Sequence, residues 1–269
     1  MAAALSLAPL LPLATGSVTP AGREAQQLIA AQRAMAAASS RAASLEAQPL
    51  PAAAVDQVRQ RLQVEQARFD ERQAFRSEQA VVYWLAGHQE QQPELLRRAP
   101  GARTTGLSDA VQGLRALWRL GGIDDPSRMT PHQIRPFDGA APLDELLQDY
   151  RSAASSQGID WTYLAAINYV ESDFGRNDGP SSSGALGPMQ FLPSTWRQFG
   201  QGGDIMNPHD SILAAARFLR DAGAPEDYDQ AVYRYNHDAD YVAAVDHLAA
   251  AIRSDQLWLT RFYYWNTYG

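Results

Sequence analysis

Cysteine is absent from this 269-residue chain, and so is lysine, so that all 23 basic side chains are arginine. Without thiols there is neither a disulfide framework nor a thiolate metal site, a composition compatible with export. Without lysine there is no lysine nucleophile and no phosphate-binding P-loop, so Gly179 and Gly184 bound a loop and not a phosphate cradle. Strict alternation of apolar and polar residues, the mark of a half-buried strand, is missing throughout. No apolar run reaches the ~20 residues that span a bilayer. His209, His237 and His247 lack metal-ligand spacing: there is no HExxH pair, and His237-Asp238-Ala239-Asp240 has no calcium-loop glycine, so Asp240 reads as a helix cap. A helical protein with no metal and no cofactor is expected.

Apolar residues make up 45% of the chain, enough to fill a core in one or two domains. Charge is divided unevenly. Residues 135–269 hold 18 acidic side chains against nine arginines, a net of −9, and residues 1–134 hold 12 against 14, a net of +2, which together give the overall −7. An acidic half speaks against a nucleic-acid partner, since phosphate binding needs clustered basic groups. It fits recognition of an uncharged part of a substrate, or simply a soluble surface.

The chain is organised around residues 160–191. Asp160 is placed to cap a helix on which Leu164, Ile167, Asn168 and Glu171 share one face, so Glu171 is half-buried among core positions. The helix is expected to end near Gly175, which puts Glu171 in the last turn, at the negative end of the macrodipole. Desolvation and dipole both raise a carboxyl pKa, and a carboxyl group still protonated near neutrality suits a general acid. The plainer alternative is a solvated glutamate at a helix end. Downstream, Gly184, Gly187 and Pro188 make a tight loop, and Met189, Gln190 and Phe191 set one amide among apolar groups, a combination suited to an acetamido sugar.

Glu171-Ser172, then Ser183-Gly184-Ala185-Leu186-Gly187-Pro188-Met189-Gln190-Phe191-Leu192-Pro193, then Tyr235-Asn236, resemble the three ordered motifs of the lytic transglycosylase domain. That family has a goose-lysozyme-like α-helical fold and cleaves peptidoglycan. The likeness runs from near Phe137 to near Ile252. It implies that Glu171 is the single catalytic acid and base, and that Met189 and Gln190 line the glycan cleft with Phe191 and Ser183. Tyr235 would reach Glu171, Asn236 would hold its loop, and Ser172, Gly184 and Gly187 would be structural parts of the site. Pro188 stands where many members have Leu, and His237-Asp238 where many have Ala-Gly. Met189 through Trp196 with Tyr235-Asn236-His237 is more similar to a secreted branch related to membrane-bound B-type enzymes. A hydrolytic muramidase of the same fold and a catalytically silent wall-binding protein are the alternatives.

Four segments are expected: 1–22 signal-like or disordered, 23–134 helical, 135–255 the lysozyme-like domain, and 256–269 an aromatic tail. Residues 2–15 are apolar but broken by Ser6, Pro9 and Pro12. No basic residue precedes them, so a basic segment is expected upstream, and an Ala/Pro-rich tail is the competing reading. Residues 23–46 and 55–88 read as a helical hairpin with Pro49 and Pro51 at the hinge. Val55, Val58, Leu62 and Phe69 give it a partial heptad seam, and residues 81–85 are its docking point on the rest. Residues 93–105 read as a linker, 107–120 as a helix, and 200–204 as the place for a short hairpin. Trp258, Phe262, Tyr263, Tyr264 and Trp265 have the spacing of packing residues, with sugar stacking as the alternative. The expectation is an exported, all-α enzyme acting on peptidoglycan strands, with an envelope protein as possible partner of the N-terminal helices. The chemistry is expected to survive removal of everything before about Gly121.

Overall fold

The structure, a computed structural model, describes residues 19–123 and 140–265. The signal-like segment before residue 19, the approach at 124–139 and the last four residues lie outside the described residues. Among those described, regular structure consists of eleven α-helices and one 3₁₀ turn, with no strand beyond an isolated antiparallel bridge between Leu186 and Phe191. The fold is all-α.

Helices α1 (Pro20–Glu46) and α2 (Ala54–Gly87) form the expected hairpin. Thr19 caps α1, its Oγ1 accepting from Gly22 N at 3.2 Å. The seam is not the one read from the aliphatic residues. Val55, Val58, Leu62 and Phe69 are exposed, whereas Gln60, Ala67, Ala74 and Val81, also seven apart, face inward. The reason lies in the partner: α1 offers Ala21, Ala25, Ala31, Ala38 and Ala42, and such small residues allow an approach that bulky side chains on α2 would block. Gln60 seals the turn by donating to Leu45 O at 2.9 Å. The expected linker from 93 is in part helical, since Pro93 sits in the first turn of α3 (Gln92–Arg98), where its missing N–H leaves no bond unmade.

Residues 81–85 do dock the hairpin. Tyr83 meets Trp118 of α4 (Leu107–Leu120) and Trp265 edge-on, at ring separations of 5.3 and 6.0 Å. Deeper in, Arg261 of α11 (Leu257–Tyr264) grips Glu78 with Nε at 2.7 Å and Nη2 at 3.0 Å, both side chains 1% exposed. Trp258, Phe262 and Trp265 are buried, so these aromatic residues pack.

The remaining helices surround α6 (Trp161–Ser172), which is buried from Thr162 to Asn168 and packs on α5 (Leu143–Gln157), α8 (Pro208–Ala222), α10 (Ala239–Ser254) and α11. A helix apolar on nearly every side belongs at the centre of a bundle. Helix α7 (Pro193–Phe199) and α9 (Tyr228–Tyr235) pack on α8, the latter on α10 as well. Residues 200–204 are a turn and not a hairpin: Gly200 lies against the Trp196 ring and Asp204 N donates to Asp210 Oδ2 at 2.9 Å. Asp238 caps α10, accepting from Asp240 N and Tyr241 N, so Asp240 belongs to the first turn instead.

Helix α4 lies along α10, close enough that a Cβ on Gly113 would fall 2.8 Å from Leu248 Cγ. This packing conflicts with the expected independence of the C-terminal half. A chain begun at residue 135 would strip α4 from α10, leave Arg261 with Asp255 as its one carboxylate partner among the described residues, and uncover the apolar faces that α2 and α4 bury. Such a chain is expected to be insoluble or to unfold without a cooperative transition in urea; a soluble fragment matching the full chain's midpoint would show the hairpin to be separable.

Candidate active site

Asp160 opens α6, its Oδ1 accepting from Thr162 N at 2.9 Å while Arg253 Nε donates to Oδ2 at 2.6 Å. Helix α6 stops at Ser172, three residues before Gly175. Asp173, Phe174 and Gly175 all take positive φ, 52°, 61° and 88°. This left-handed run turns the chain sharply directly after Glu171, and Phe174 N closes it by donating to Asn168 O at 3.1 Å. Arg176 holds the outside of the turn, with Nη1 on Asp173 O at 3.1 Å and its guanidinium 4.5 Å from the centre of the Tyr263 ring.

A buried polar group fixes the next loop to α6. Ser172 Oγ donates to Pro188 O at 2.6 Å and accepts from Gly175 N at 2.8 Å. Asn168 Nδ2 donates to the same Pro188 carbonyl at 2.8 Å, and Asn168 Oδ1 accepts from the Tyr150 hydroxyl of α5 at 2.5 Å. Each member is buried and bonded, the condition under which such a network rigidifies instead of weakening a core. The loop then doubles back at Gly187 and Gln190, with φ of 77° and 48°. Gln190 Nε2 donates to Gly187 O at 2.9 Å and Gly179 O at 3.2 Å, so this side of its amide is spent on the loop.

Glu171 is half-buried at the end of this construction. Burial pushes its carboxyl up to about 7, against the opposing pull of a hydrogen bond from Tyr241, whose hydroxyl donates to Glu171 Oε1 at 2.5 Å. No carboxylate among the described residues contributes to that shift. Burial also holds the hydroxyls of Tyr241 and Tyr235 well above their ordinary range, so both stay protonated donors. Tyr235 is near enough to Glu171 to feel its charge, but its own hydroxyl donates to Met189 O at 2.7 Å. The contact expected of Tyr235 is thus made by Tyr241, and the two rings lie nearly parallel with centres 6.4 Å apart.

The other expected site residues divide by burial. Met189 and Phe191 are in the core, Phe191 within ring contact of Trp196, Phe218 and Tyr235. Ser183 is exposed, its N–H on Ser181 Oγ at 3.2 Å. Asn236 is exposed at the end of α9, where its carbonyl accepts from Asp238 N at 2.8 Å. Ser172 and Gly187 sit inside the loop anchor, and Gly184 stands in open space. Sequence reasoning missed Tyr241, Tyr150 and the bonding of Asn168. The Asn168/Ser172 pair, four apart on an apolar helix, carried a signal; Tyr241 had none beyond its place after an Asp cap. Asp109 and Asp149 sit beside His247 and His209 at 3.1 and 2.7 Å. No group of three or more potential metal ligands occurs among the described residues.

Two predictions follow from this geometry. A Cβ on Gly187 would fall 2.0 Å from Ile205 O, whereas one on Gly184 meets nothing within 4 Å. In urea denaturation Gly187→Ala is therefore expected to lose more than ~3 kcal/mol or fail to fold, and Gly184→Ala to lose only the ~1–2 kcal/mol of its left-handed backbone. Tyr241→Phe removes the bond that favours the ionised carboxylate, so the pKa of Glu171 rises. Any activity that needs Glu171 protonated then keeps its acid form to higher pH, and the alkaline limb of kcat/KM against pH is expected to move upward, with a lower plateau as the carboxyl loses its anchor. An unmoved limb would detach Tyr241 from the titration.

Residues 149–244 match the family described as Transglycosylase SLT domain. A stretch of 77 residues is 38% identical to the membrane-bound lytic murein transglycosylase F of Thiobacillus denitrificans (strain ATCC 25259 / T1). It covers 29% of this chain and 16% of that protein, so the likeness spans one portion of each. The relative carries an F-type name, not the B-type one expected from the Met189–Trp196 stretch. No solved structure matches the chain. Residues 149–244, which hold α6, its anchored loop and α9, are thus the part of the chain that is similar to the transglycosylase SLT domain.

Proposed function

We propose that the protein is a peptidoglycan lytic transglycosylase that cleaves the β-1,4 bond between MurNAc and GlcNAc and leaves a 1,6-anhydroMurNAc end. The observation that carries this reading is Glu171, a half-buried carboxyl group poised at about 7, bonded to a tyrosine, with no second carboxylate acting on it among the described residues. Two-carboxylate glycosidases place their groups ~5 to 9.5 Å apart, as acid with nucleophile or acid with water-activating base. Asp173 is turned into a contact with Arg176, and Asp178 lies in the loop beyond.

With one carboxyl group, the steps balance without water. Glu171 gives its proton to the glycosidic oxygen as the bond from the MurNAc C1 breaks, and the departing sugar leaves as an alcohol. The substrate's own N-acetyl oxygen supports the positive charge at C1. Glu171, now a carboxylate, takes the proton of the C6 hydroxyl as O6 bonds to C1. The acid form is restored, and a pKa near ambient pH serves both half-steps. Gln190, Ser183 and Asn236 edge the cleft; Met189 and Phe191 shape it from beneath, with Tyr235 holding the Met189 carbonyl. Ser172, Gly184 and Gly187 set the loop.

The site of action is the cell envelope, reached by export, and an envelope protein is a candidate partner for the α1/α2 hairpin. The matched relative is membrane-bound by name, and among the described residues no helix here is long and apolar enough to cross a membrane.

Glu171→Gln keeps shape and removes the titrating proton. Lysis of a cell-wall suspension is expected to fall at least ~100-fold with the fold intact, and substantial activity in the folded variant would overturn the assignment of Glu171. Mass spectrometry of the digest decides the outcome of cleavage. Muropeptides lighter by one water are expected, whereas reducing MurNAc ends alone would make the protein a muramidase.

A further inference from the structure

The side chains read as a heptad seam in α2 form an apolar stripe on its outside. Val55, Val58, Leu62 and Phe69 are 48–65% exposed. At one turn per 3.6 residues they fall within about 60° of arc, over about 21 Å of helix. Gln60 and Ala67, which meet α1, lie on the opposite side. This part of the hairpin stands clear of the main core. Ala38, Ala42 and Ala67 are buried between the two helices but outside that core, whose outermost members here are Met35 and Ala74. Among the described residues, the side-chain hydrogen bonds and ion pairs of 56–70 stay within α2 or run to α1 and the turn that joins them. A two-helix arm that carries bulky apolar residues on its outer face presents the kind of patch that marks an interaction surface.

Charge decides what fits it. Arg61 and Glu65 border the stripe on one edge, both exposed, and neither pairs with an opposite charge among the described residues. A carboxylate beside the stripe is out of place on a helix made to lie on an anionic membrane, which favours basic flanks. Against a second copy of the same helix it is in place. In an antiparallel pair the two-fold axis runs across the helices, so each edge meets its own counterpart. With that axis between residues 63 and 64, Phe69 is level with Val58 of the second copy. Leu62 comes within about 4.5 Å, along the axis, of Leu62 of the second copy. Arg61 then lies about 1.5 Å along the axis from Glu65 of the second copy, on the same edge, and symmetry makes that pair twice. On the other edge Arg59 is offset by about 3 Å from Asp70 of the second copy. A parallel pair in register would instead set Glu65 against Glu65 within the seam.

We propose that the outer face of α2 is a self-association surface, on which a second copy of this chain lays its own α2 antiparallel, Phe69 on Val58, Leu62 on Leu62 and Arg61 against Glu65. A single seam of this length buries less than the ~800 Å² per partner of a standard interface, so the pair forms reversibly at micromolar concentration. The pairing involves neither Glu171 nor the reaction proposed for it.

Sedimentation velocity of the full chain tests the pairing, at ~1 to ~200 µM so as to bracket an expected Kd of ~10 µM. The mass is expected to rise with concentration from the 29.5 kDa of one chain toward twice that. Leu62→Glu, at an exposed position, is expected to leave the thermal melt unchanged and to keep the chain monomeric, since it would bury a charge in the seam. Arg61→Glu and Glu65→Arg are each expected to weaken pairing ~10-fold when alone, and to pair with one another when mixed, because the mixture restores opposite charges on that edge. The chain has no cysteine, so introduced thiols report the register. Val58→Cys mixed with Phe69→Cys is expected to cross-link on mild oxidation, whereas neither does so alone, its two copies lying about 16 Å apart along the axis. A monomer throughout the range, undiminished association of folded Leu62→Glu, or cross-linking of Val58→Cys with itself would each overturn the proposal. A monomer that co-sediments with phosphatidylglycerol vesicles would overturn it in favour of a membrane contact.

Discussion

A carboxyl group withdrawn from water at the end of a buried helix is the constraint around which the C-terminal half is arranged. Burial raises the free energy of the charged form, and the pKa of about 7 measures how far. Such a group is useful only if it stays partly open to a ligand, so the bundle must enclose the carboxyl without sealing it. The solution is a sharp stop. Helix α6 ends one residue after Glu171 and the chain leaves by a left-handed turn, so no further helical turn covers the carboxyl. Tyr241 then supplies one strong donor from α10, enough to fix the direction of the carboxyl without cancelling the effect of burial.

Holding that stop in place falls to groups that touch no ligand. Asn168 and Ser172 take the Pro188 carbonyl between them, and Tyr150 fixes the far side of Asn168. α5, α6 and the loop at 184–191 are thereby registered on one another beside Ser172, the residue next to Glu171. Because these groups are buried, each missing partner leaves the others unsatisfied, so the cluster behaves as a unit. Pro188, which departs from the Leu common in the resembled family, contributes here through its carbonyl, a group that any residue would offer; its ring removes a backbone N–H that the loop would otherwise have to bond.

Much of this arrangement was legible in the residues. The helices of the C-terminal half announced themselves by three-four spacing with Asp160, Pro193 and Pro208 at their starts, and Glu171 by its place among apolar neighbours in a last turn. What remained hidden was decided by partners. The α2 seam was misread because Val55, Val58, Leu62 and Phe69 have the side chains a seam normally uses, while the actual seam answers to the alanines of α1. Tyr235 was assigned the bond to Glu171 because its motif is recognisable. Two tyrosines six residues apart both reach this region, and only the path of the chain through the Asp238 cap determines which hydroxyl meets the carboxylate. The packing of α4 on α10 was hidden for the same reason, since nothing local in α4 says that Gly113 will accept Leu248.

Three of the four non-glycine residues at positive φ among those described are Asp173, Phe174 and Gln190, the fourth being Gln201 in the turn at 200–204, and conformations of that kind cost ~1–3 kcal/mol each. All three stand in the two segments joined by the bond from Ser172 to Pro188. A relaxed backbone would lengthen α6 past Glu171 or straighten the loop away from it, and either would change the surroundings of the carboxyl. The strain is therefore tolerable only because the rest of the molecule is stable enough to offset it, and much of that stability is remote: α4 against α10, the aromatic packing of Trp258, Phe262 and Trp265, and the buried grip of Arg261 on Glu78. On this argument the N-terminal helices bear on the surroundings of the carboxyl group without touching it, α2 by securing α11 and α4 by securing α10, the helix that carries Tyr241.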